Sequence, residues 1–387
     1  MSPPRLRVTL VAADVSQNGV GRAYTLARLL ARHFDVQLVG TAFGDGLWAP
    51  VRNGRFSFEV VRGRHWPMHV RPLLTLLGTL RGDVIYAVKP LPSSFGAALL
   101  HRRRRGSPLV LDVDDDELSF RPAPPWWNPR RLAASLADPN GRVWTRRLAS
   151  RVDTADALTV ASSALQQRLG GTLIPHARDT TAMRPRPEAA AEARRRLGVA
   201  DGRAVILFAG TPRAHKGLED VARAVTLMRH PASLVIAGVD EGARFTSVFR
   251  AANPGVVCHP GFPFEEAHLP LQAADAVVVP QRAVPQSMVQ VPAKIVDAMA
   301  VARPIVATAV SDLPQYLAPD RGWIVPPSDP EAMARALDAI LDDPAEAAAR
   351  GQRARAWCVA HLSDDAVHET LAAVVRSAIT RASTAVT

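Results

Sequence analysis

A chain of 387 residues is long enough for two or three domains at roughly 100–200 residues each, and 48% apolar with 21% charged residues is an ordinary globular composition. That balance excludes a disordered chain and a mini-protein held by staples, while an aromatic content of 5% leaves the core to Ala, Val and Leu. The 47 basic and 36 acidic residues give a formal charge of +11, and Arg carries nearly all of the basic share: the three lysines are Lys89, Lys216 and Lys294.

The chain opens with a short apolar run, Val8–Ala13, that Asp14 ends before it reaches the length of a signal peptide's core. No stretch approaches the roughly 18 apolar residues of a membrane span. Cys258 and Cys358 form no C-x-x-C pair, so a zinc ribbon or a thioredoxin-type site is not expected, and free thiols fit a cytoplasmic protein.

Apolar runs then alternate with helical patterns from end to end. Strands are predicted at 7–12, 36–39, 56–61, 84–88, 109–113, 157–160 and 173–174, with helices over 22–34, 94–104, 140–151 and 163–169. The last of these has Ser162 as its N-cap. The second half repeats the plan. Its strands are at 205–209, 233–237, 256–259, 276–279, 305–307 and 323–325. Its helices cover 218–228, 245–252, 265–273, 293–300, 330–341 and 344–359, and a final helix, 364–381, has no strand after it. Alternation of this kind predicts parallel sheets covered by helices on both faces, so the expected class is α/β with two Rossmann-like domains. Pro185, Arg186 and Pro187 break the periodicity, which sets the expected boundaries at 1–183, 184–362 and a C-terminal helix 363–387 that packs back on the first domain.

Ligands of such sheets sit beyond the carboxyl ends of the strands, so the loops there are the candidate sites. Asn18-Gly19-Val20-Gly21-Arg22 follows the first strand. It reads either as a tight turn or as a glycine turn whose amides approach an anion, and it is not a dinucleotide fingerprint. Gly210-Thr211-Pro212-Arg213-Ala214-His215-Lys216-Gly217 follows another strand and is not a Walker A loop. Arg213 and Lys216 beside a helix start suit a diphosphate, against the alternative of a solvated basic turn. In Ala293-Lys294-Ile295-Val296-Asp297, Lys294 and Asp297 share a helix face. They read either as a surface ion pair or as ligands, Asp297 for the two hydroxyls of a ribose and Lys294 for phosphate.

Taken in order, these motifs resemble the GT-B glycosyltransferases, specifically the large retaining family four. Gly19-Val20-Gly21-Arg22, Ile174-Pro175-His176-Ala177-Arg178-Asp179, Gly210 to Gly217, Asp297-Ala298-Met299-Ala300 with Arg303-Pro304-Ile305-Val306-Ala307-Thr308, and Gly322 to Pro330 are similar to that family's sequence. The resemblance implies a cleft between two Rossmann-like domains, with a crossover helix at the C-terminus. It also implies transfer of a sugar from a nucleoside-diphosphate sugar to an acceptor, with retention and with no cofactor. Gly19, Gly21, Arg213, Lys216 and Lys294 would then hold the donor diphosphate, Asp297 the ribose, and Gly261 and Phe262 the base.

Three positions depart from the family's pattern. Thr211 stands where the family has a phosphate-binding Arg, two residues before Arg213. Val289 stands where the first of its paired glutamates would be, and Pro292-Ala293-Lys294 resembles a variant subgroup. Asp114 stands where it has a His. Asp114 and Asp115 are therefore the candidate catalytic groups, orienting the acceptor or accepting its proton. The run Asp112–Glu117 also resembles the metal site of GT-A enzymes, which lack a second Rossmann half, so a polar cluster without metal is expected.

The excess of arginine, including His101-Arg102-Arg103-Arg104-Arg105, reads as a solvated face or as attraction to an anionic membrane holding a lipid-linked acceptor. Glycan and small-molecule acceptors are equally compatible, and no specific nucleic acid is expected. Pro124 to Pro129, with Trp126 and Trp127, reads as loop packing or as a platform for a ring. A nucleotide-sugar 2-epimerase and a non-catalytic nucleotide-sugar-binding protein share the same architecture.

Overall fold

The computed structural model describes residues 5–121, 123, 127–199, 202–263 and 266–384. The chain divides into two compact units: one runs to His176 and resumes at Val367, and the other is Ala177–Ala366. The first holds strands β1 (Arg7–Ala12), β2 (Asp35–Ala42), β3 (Phe58–Arg62), β4 (Val84–Val88), β5 (Leu109–Val113), β6 (Ala157–Val160) and β7 (Thr172–Leu173). They form one parallel sheet in the order β3-β2-β1-β4-β5-β6-β7. The second holds β8 (Ala204–Ala209), β9 (Ala232–Val239), β10 (Val257–Pro260), β11 (Ala276–Val279), β12 (Ile305–Thr308) and β13 (Trp323–Val325), parallel in the order β10-β9-β8-β11-β12-β13.

Burial explains why these segments are strands. Every residue of β4, β5, β11 and β12 is buried, as helices on both faces of a parallel sheet require, and β-branched residues fill most of those positions. In the second unit two apolar clusters lie on the two faces of the sheet's strands. One centres on Val205, Leu207, Val277 and Ile295, the other on Ile206, Phe208, Val278 and Leu337. Capping fixes several helix starts: the side chains of Ser162, Asp329 and Asp343 accept from the amides of Leu165, Ala332 and Glu346. Helices are present where none is predicted at Val70–Thr79 and Pro129–Ala137, and as single short turns at Pro285–Met288 and Leu313–Leu317. The two longer ones lie largely exposed and carry a proline in the first turn, which reads locally as a break rather than a helix start. No described helix is long and apolar enough to cross a membrane.

The units divide at His176/Ala177, ahead of the boundary expected at 183/184. The intervening residues are tied to the second unit. Arg355 donates to the carbonyls of Thr180 and Met183, Gln272 grips the backbone of Arg184 and Arg186, and Met183 joins the second unit's core. Proline breaks a helical pattern without marking where contacts change hands. The closing helix, Asp364–Thr384, belongs to the first unit from Val367 on.

A buried ion pair organises the first unit. Arg22, at the start of helix Val20–Leu30, donates Nε and Nη2 to the two oxygens of Asp112 at 2.9 and 2.8 Å. Its remaining donors reach the carbonyls of Ile174 and Pro175, and Thr159 adds a bond to Asp112 at 2.7 Å. The pair thereby fastens the glycine turn after β1 to the ends of β5 and β7. Removing one partner strands the other's charge in the core. Arg22→Met is expected to cost about 3–5 kcal/mol of stability. Arg22→Met/Asp112→Leu is expected to be more stable than the single variant, as urea unfolding will measure.

Candidate functional site

Each sheet has one place where successive connections leave in opposite directions, between β1 and β4 in the first unit and between β8 and β11 in the second. Loops part there and leave a crevice at the strands' carboxyl ends. Most of the sequence-predicted residues lie near these two places, while Gly261 and Phe262 follow the outer strand β10.

In the second unit, β8 runs out into Gly210, whose φ of +136° only glycine adopts without strain. The chain then crosses Thr211 and Pro212 to the short turn Ala214–Lys216, which Arg213 precedes and Gly217 closes. Gly217 has φ +58°, and a Cβ there would lie 2.2 Å from the carbonyl oxygen of Pro280, so the turn presses directly on the exit of β11. The loop after β11 answers it: Arg282 N–H donates to the His215 carbonyl at 3.0 Å, and the Arg282 guanidinium takes both oxygens of Asp220. Arg213 is exposed and Lys216 is half-buried.

Lys294 comes to the same place from the helix Ala293–Ala300. It is 7% exposed, its Nζ lies 3.4 Å from the centroid of the Phe208 ring, and a Cβ on Gly210 would be 2.9 Å from it. Nζ has no hydrogen-bond partner among the described residues. Burial first, then the Lys216 charge, hold this amine well below the usual lysine range, with Asp297 pulling the other way. Lys294 thus reaches Gly210, within the influence of the Lys216 charge.

The alternative of a Lys294–Asp297 surface pair does not hold. Asp297 Oδ1 accepts from Arg178 Nε, and both side chains are largely buried. Arg178 comes from 119 positions away, and sequence spacing says nothing of contacts over that separation. Gly261 and Phe262 follow β10 at the same edge of the sheet. Phe262 stacks on His259 at 4.6 Å, lies under Arg196 and packs on the core.

In the first unit the glycine turn lies beside Lys89: a Cβ on Gly19 would be 3.3 Å from Lys89 Cε. Lys89 follows β4 with φ +74°, an αL conformation fixed by its N–H bond to the Asp112 carbonyl. Its Nζ is 2.9 Å from Asp114, 2.8 Å from Asp115 and 2.5 Å from Glu117. Arg121 pairs with the other oxygen of Glu117. The candidate catalytic carboxylates, Asp114 and Asp115, are therefore already salt-bridged, and an ammonium stands among the three carboxylates whose spacing resembled a metal site. Sequence reading noted Lys89 only for its rarity; its partners follow from the adjacency of β4 and β5. The Asp114 carboxyl is pushed up to about 7, chiefly by burial, with Lys89 opposing and Asp115 reinforcing the rise. Strongly perturbed carboxyls of this kind cluster at functional sites. Pro124, Pro125 and Trp126 of the aromatic loop lie outside the described residues, and Trp127 is 69% exposed.

The family model described as Glycosyl transferases group 1 matches residues 203–343. D-inositol 3-phosphate glycosyltransferase 1 of Catenulispora acidiphila is 30% identical over 325 residues, 77% of this chain and 72% of that protein. Among solved structures, sucrose-phosphate synthase from Thermosynechococcus elongatus superposes with a TM-score of 0.72 at 18% identity, covering 97% of this chain and 100% of that one. Anabaena HepE in complex with UDP-glucose gives 0.73 at 16% identity, covering 96% and 100%.

A carboxyl whose folded pKa is raised binds a proton that the unfolded chain has already released. Between about pH 4 and pH 7 the native state therefore binds more protons than the unfolded state, and stability falls as pH rises through that window. Asp114→Asn cannot titrate. Its melting temperature is expected to gain on wild type as pH is raised from about 4 to about 8, and thermal melts of both proteins across that range check it.

Proposed function

The chain belongs to the group 1 glycosyl transferases, and from that membership we propose that it moves a hexose from a nucleoside-diphosphate sugar to an acceptor, with retention at the anomeric carbon. The observation that carries the donor half is Lys294 against Gly210, within the influence of the Lys216 charge, beyond the switch point of a parallel sheet and inside the family-matched region. As the glycosidic bond breaks, negative charge grows on the leaving diphosphate. The Lys216 charge, with the exposed Arg213 beside it, opposes that charge without reorganising. UDP-glucose in HepE supports a nucleotide sugar as donor. Asp297, oriented by Arg178, serves the ribose, and the Gly261–Phe262 edge serves the base. Cys258 and Cys358 as free thiols favour a cytoplasmic setting.

The acceptor half falls to the first unit. Asp114, poised near neutrality, takes or shares the acceptor hydroxyl's proton, while Lys89 holds Asp115 and Glu117 in place. A screen of UDP, GDP, TDP and ADP by thermal shift identifies the base, since a bound ligand stabilises by mass action. Labelled sugar then separates transfer to an acceptor from isomerised donor or binding alone, and NMR of the first-formed product reads the anomeric outcome. Lys216→Ala is expected to weaken binding of the stabilising nucleotide at least about tenfold, equivalent to roughly 1.4 kcal/mol. Unchanged affinity in titration calorimetry would remove Lys216 from the donor site.

A membrane-borne acceptor is favoured by one surface. No residue of the helix Pro129–Ala137 is buried, and Leu132 and Leu136, one turn apart, are 40% and 41% exposed beside Arg130 and Arg131. Trp144 donates to the Leu136 carbonyl and Trp66 N–H to that of Ala137, which brings the exposed Met68, Val70 and Val143 into the same region. Apolar side chains among arginines suit the interface of an anionic bilayer. Co-sedimentation with phosphatidylcholine vesicles is expected to rise when about a third of the lipid is phosphatidylglycerol, and to fall for Leu132→Asp/Leu136→Asp.

A further inference from the structure

Lys294 is unusual in this molecule. A buried ammonium with no acceptor is costly, and the two remedies are to give up the proton or to gain an anion. The groups that face Nζ are few. Lys216 approaches from the turn after β8. Asp297 stands one helical turn on, with its Oδ1 bound by Arg178. The Phe208 ring closes one side and Gly210 the other. Among these, only Asp297 is an anion, and it makes no salt bridge to Nζ. Lys89, buried in the first unit, has three carboxylates within 2.9 Å and stays charged.

We propose that Lys294 is a proton-coupled ligand of the donor: its Nζ, buried against Phe208 and Gly210 with no hydrogen-bond acceptor among the described residues, takes up a proton from water as a diphosphate settles on the Gly210–Lys216 turn. The inference rests on that turn being the donor diphosphate site. Phosphate oxygens supply the acceptor that the protein withholds, and the bound anion outweighs both burial and the Lys216 charge. No bond of the donor changes in this step; the nitrogen lone pair gains a proton and the site gains one positive charge. Donor affinity is then linked to pH. Over the range in which the free amine is neutral and the bound one charged, affinity falls by up to about tenfold for each unit of rising pH. Once bound, the ammonium adds a fixed charge against the leaving diphosphate.

The test is titration calorimetry with UDP-, GDP-, TDP- and ADP-glucose, whose diphosphates are diesters and do not titrate near neutrality. Each is measured between about pH 6 and pH 10 in buffers of different ionisation enthalpy, which gives the protons taken up per ligand bound. Uptake approaching one proton for the ligand that binds is expected in wild type. In Lys294→Met, an apolar chain of similar reach that suits the Phe208 face, uptake is expected to vanish and affinity to become flat with pH. Lys294→Arg keeps its charge at every pH tested and is also expected to show no uptake. Binding by wild type without proton uptake, or equal uptake by the Met variant, overturns the proposal while leaving the donor site intact. Binding of none of the four overturns the donor-site reading itself, and this proposal with it.

Discussion

The cost of burying a charge governs both candidate sites, and the two units meet it in opposite ways. In the first, Lys89 is surrounded by Asp114, Asp115 and Glu117, while Arg22 is matched to Asp112. Carboxylates exceed cations there, so one carboxyl, Asp114, is driven towards its neutral form. In the second, Lys294 is buried with no hydrogen-bonded anion and is driven towards the neutral amine. In one arrangement each buried cation has carboxylate partners; in the other Nζ has no hydrogen-bond partner among the described residues.

Sheet topology places these charges where a ligand can use them. Because every strand in each sheet runs parallel, all loops after strands emerge on one edge, and the reversal of connection direction opens a crevice at β1/β4 and β8/β11. Backbone geometry then sets how closely groups approach. Gly210 and Gly217 adopt positive φ and carry no Cβ. Lys294 Nζ can therefore approach the end of β8, and the Lys216 turn can lie against Pro280.

The elements themselves were legible in the sequence because the physics that forms them is local. All thirteen strands among the described residues are anticipated from apolar runs, β1, β4, β5, β6, β11 and β13 with their observed ends, as is the helix 163–169 from its Ser162 cap. The helices Val70–Thr79 and Pro129–Ala137 escape such a reading because each carries a proline in its first turn and buries little or nothing. The units divide at His176/Ala177, where Arg355 and Gln272 hold the following proline-rich segment to the second unit through contacts far apart in the chain.

What the sequence by itself determined is the class of protein: two α/β units, glycine turns after strands, an H-K-G turn and the D-A-M-A helix, in an order that marks the family. Composition singled out Lys89, Lys216 and Lys294 but could not pair them. Only the tertiary structure decided that Lys89 faces three carboxylates, that Asp297 belongs to Arg178, and that Lys294 has an aromatic face and a second lysine for neighbours. The reason is that periodicity and capping act over a few residues. A side chain's charge state depends instead on burial and on whichever distant strands and helices the fold sets beside it.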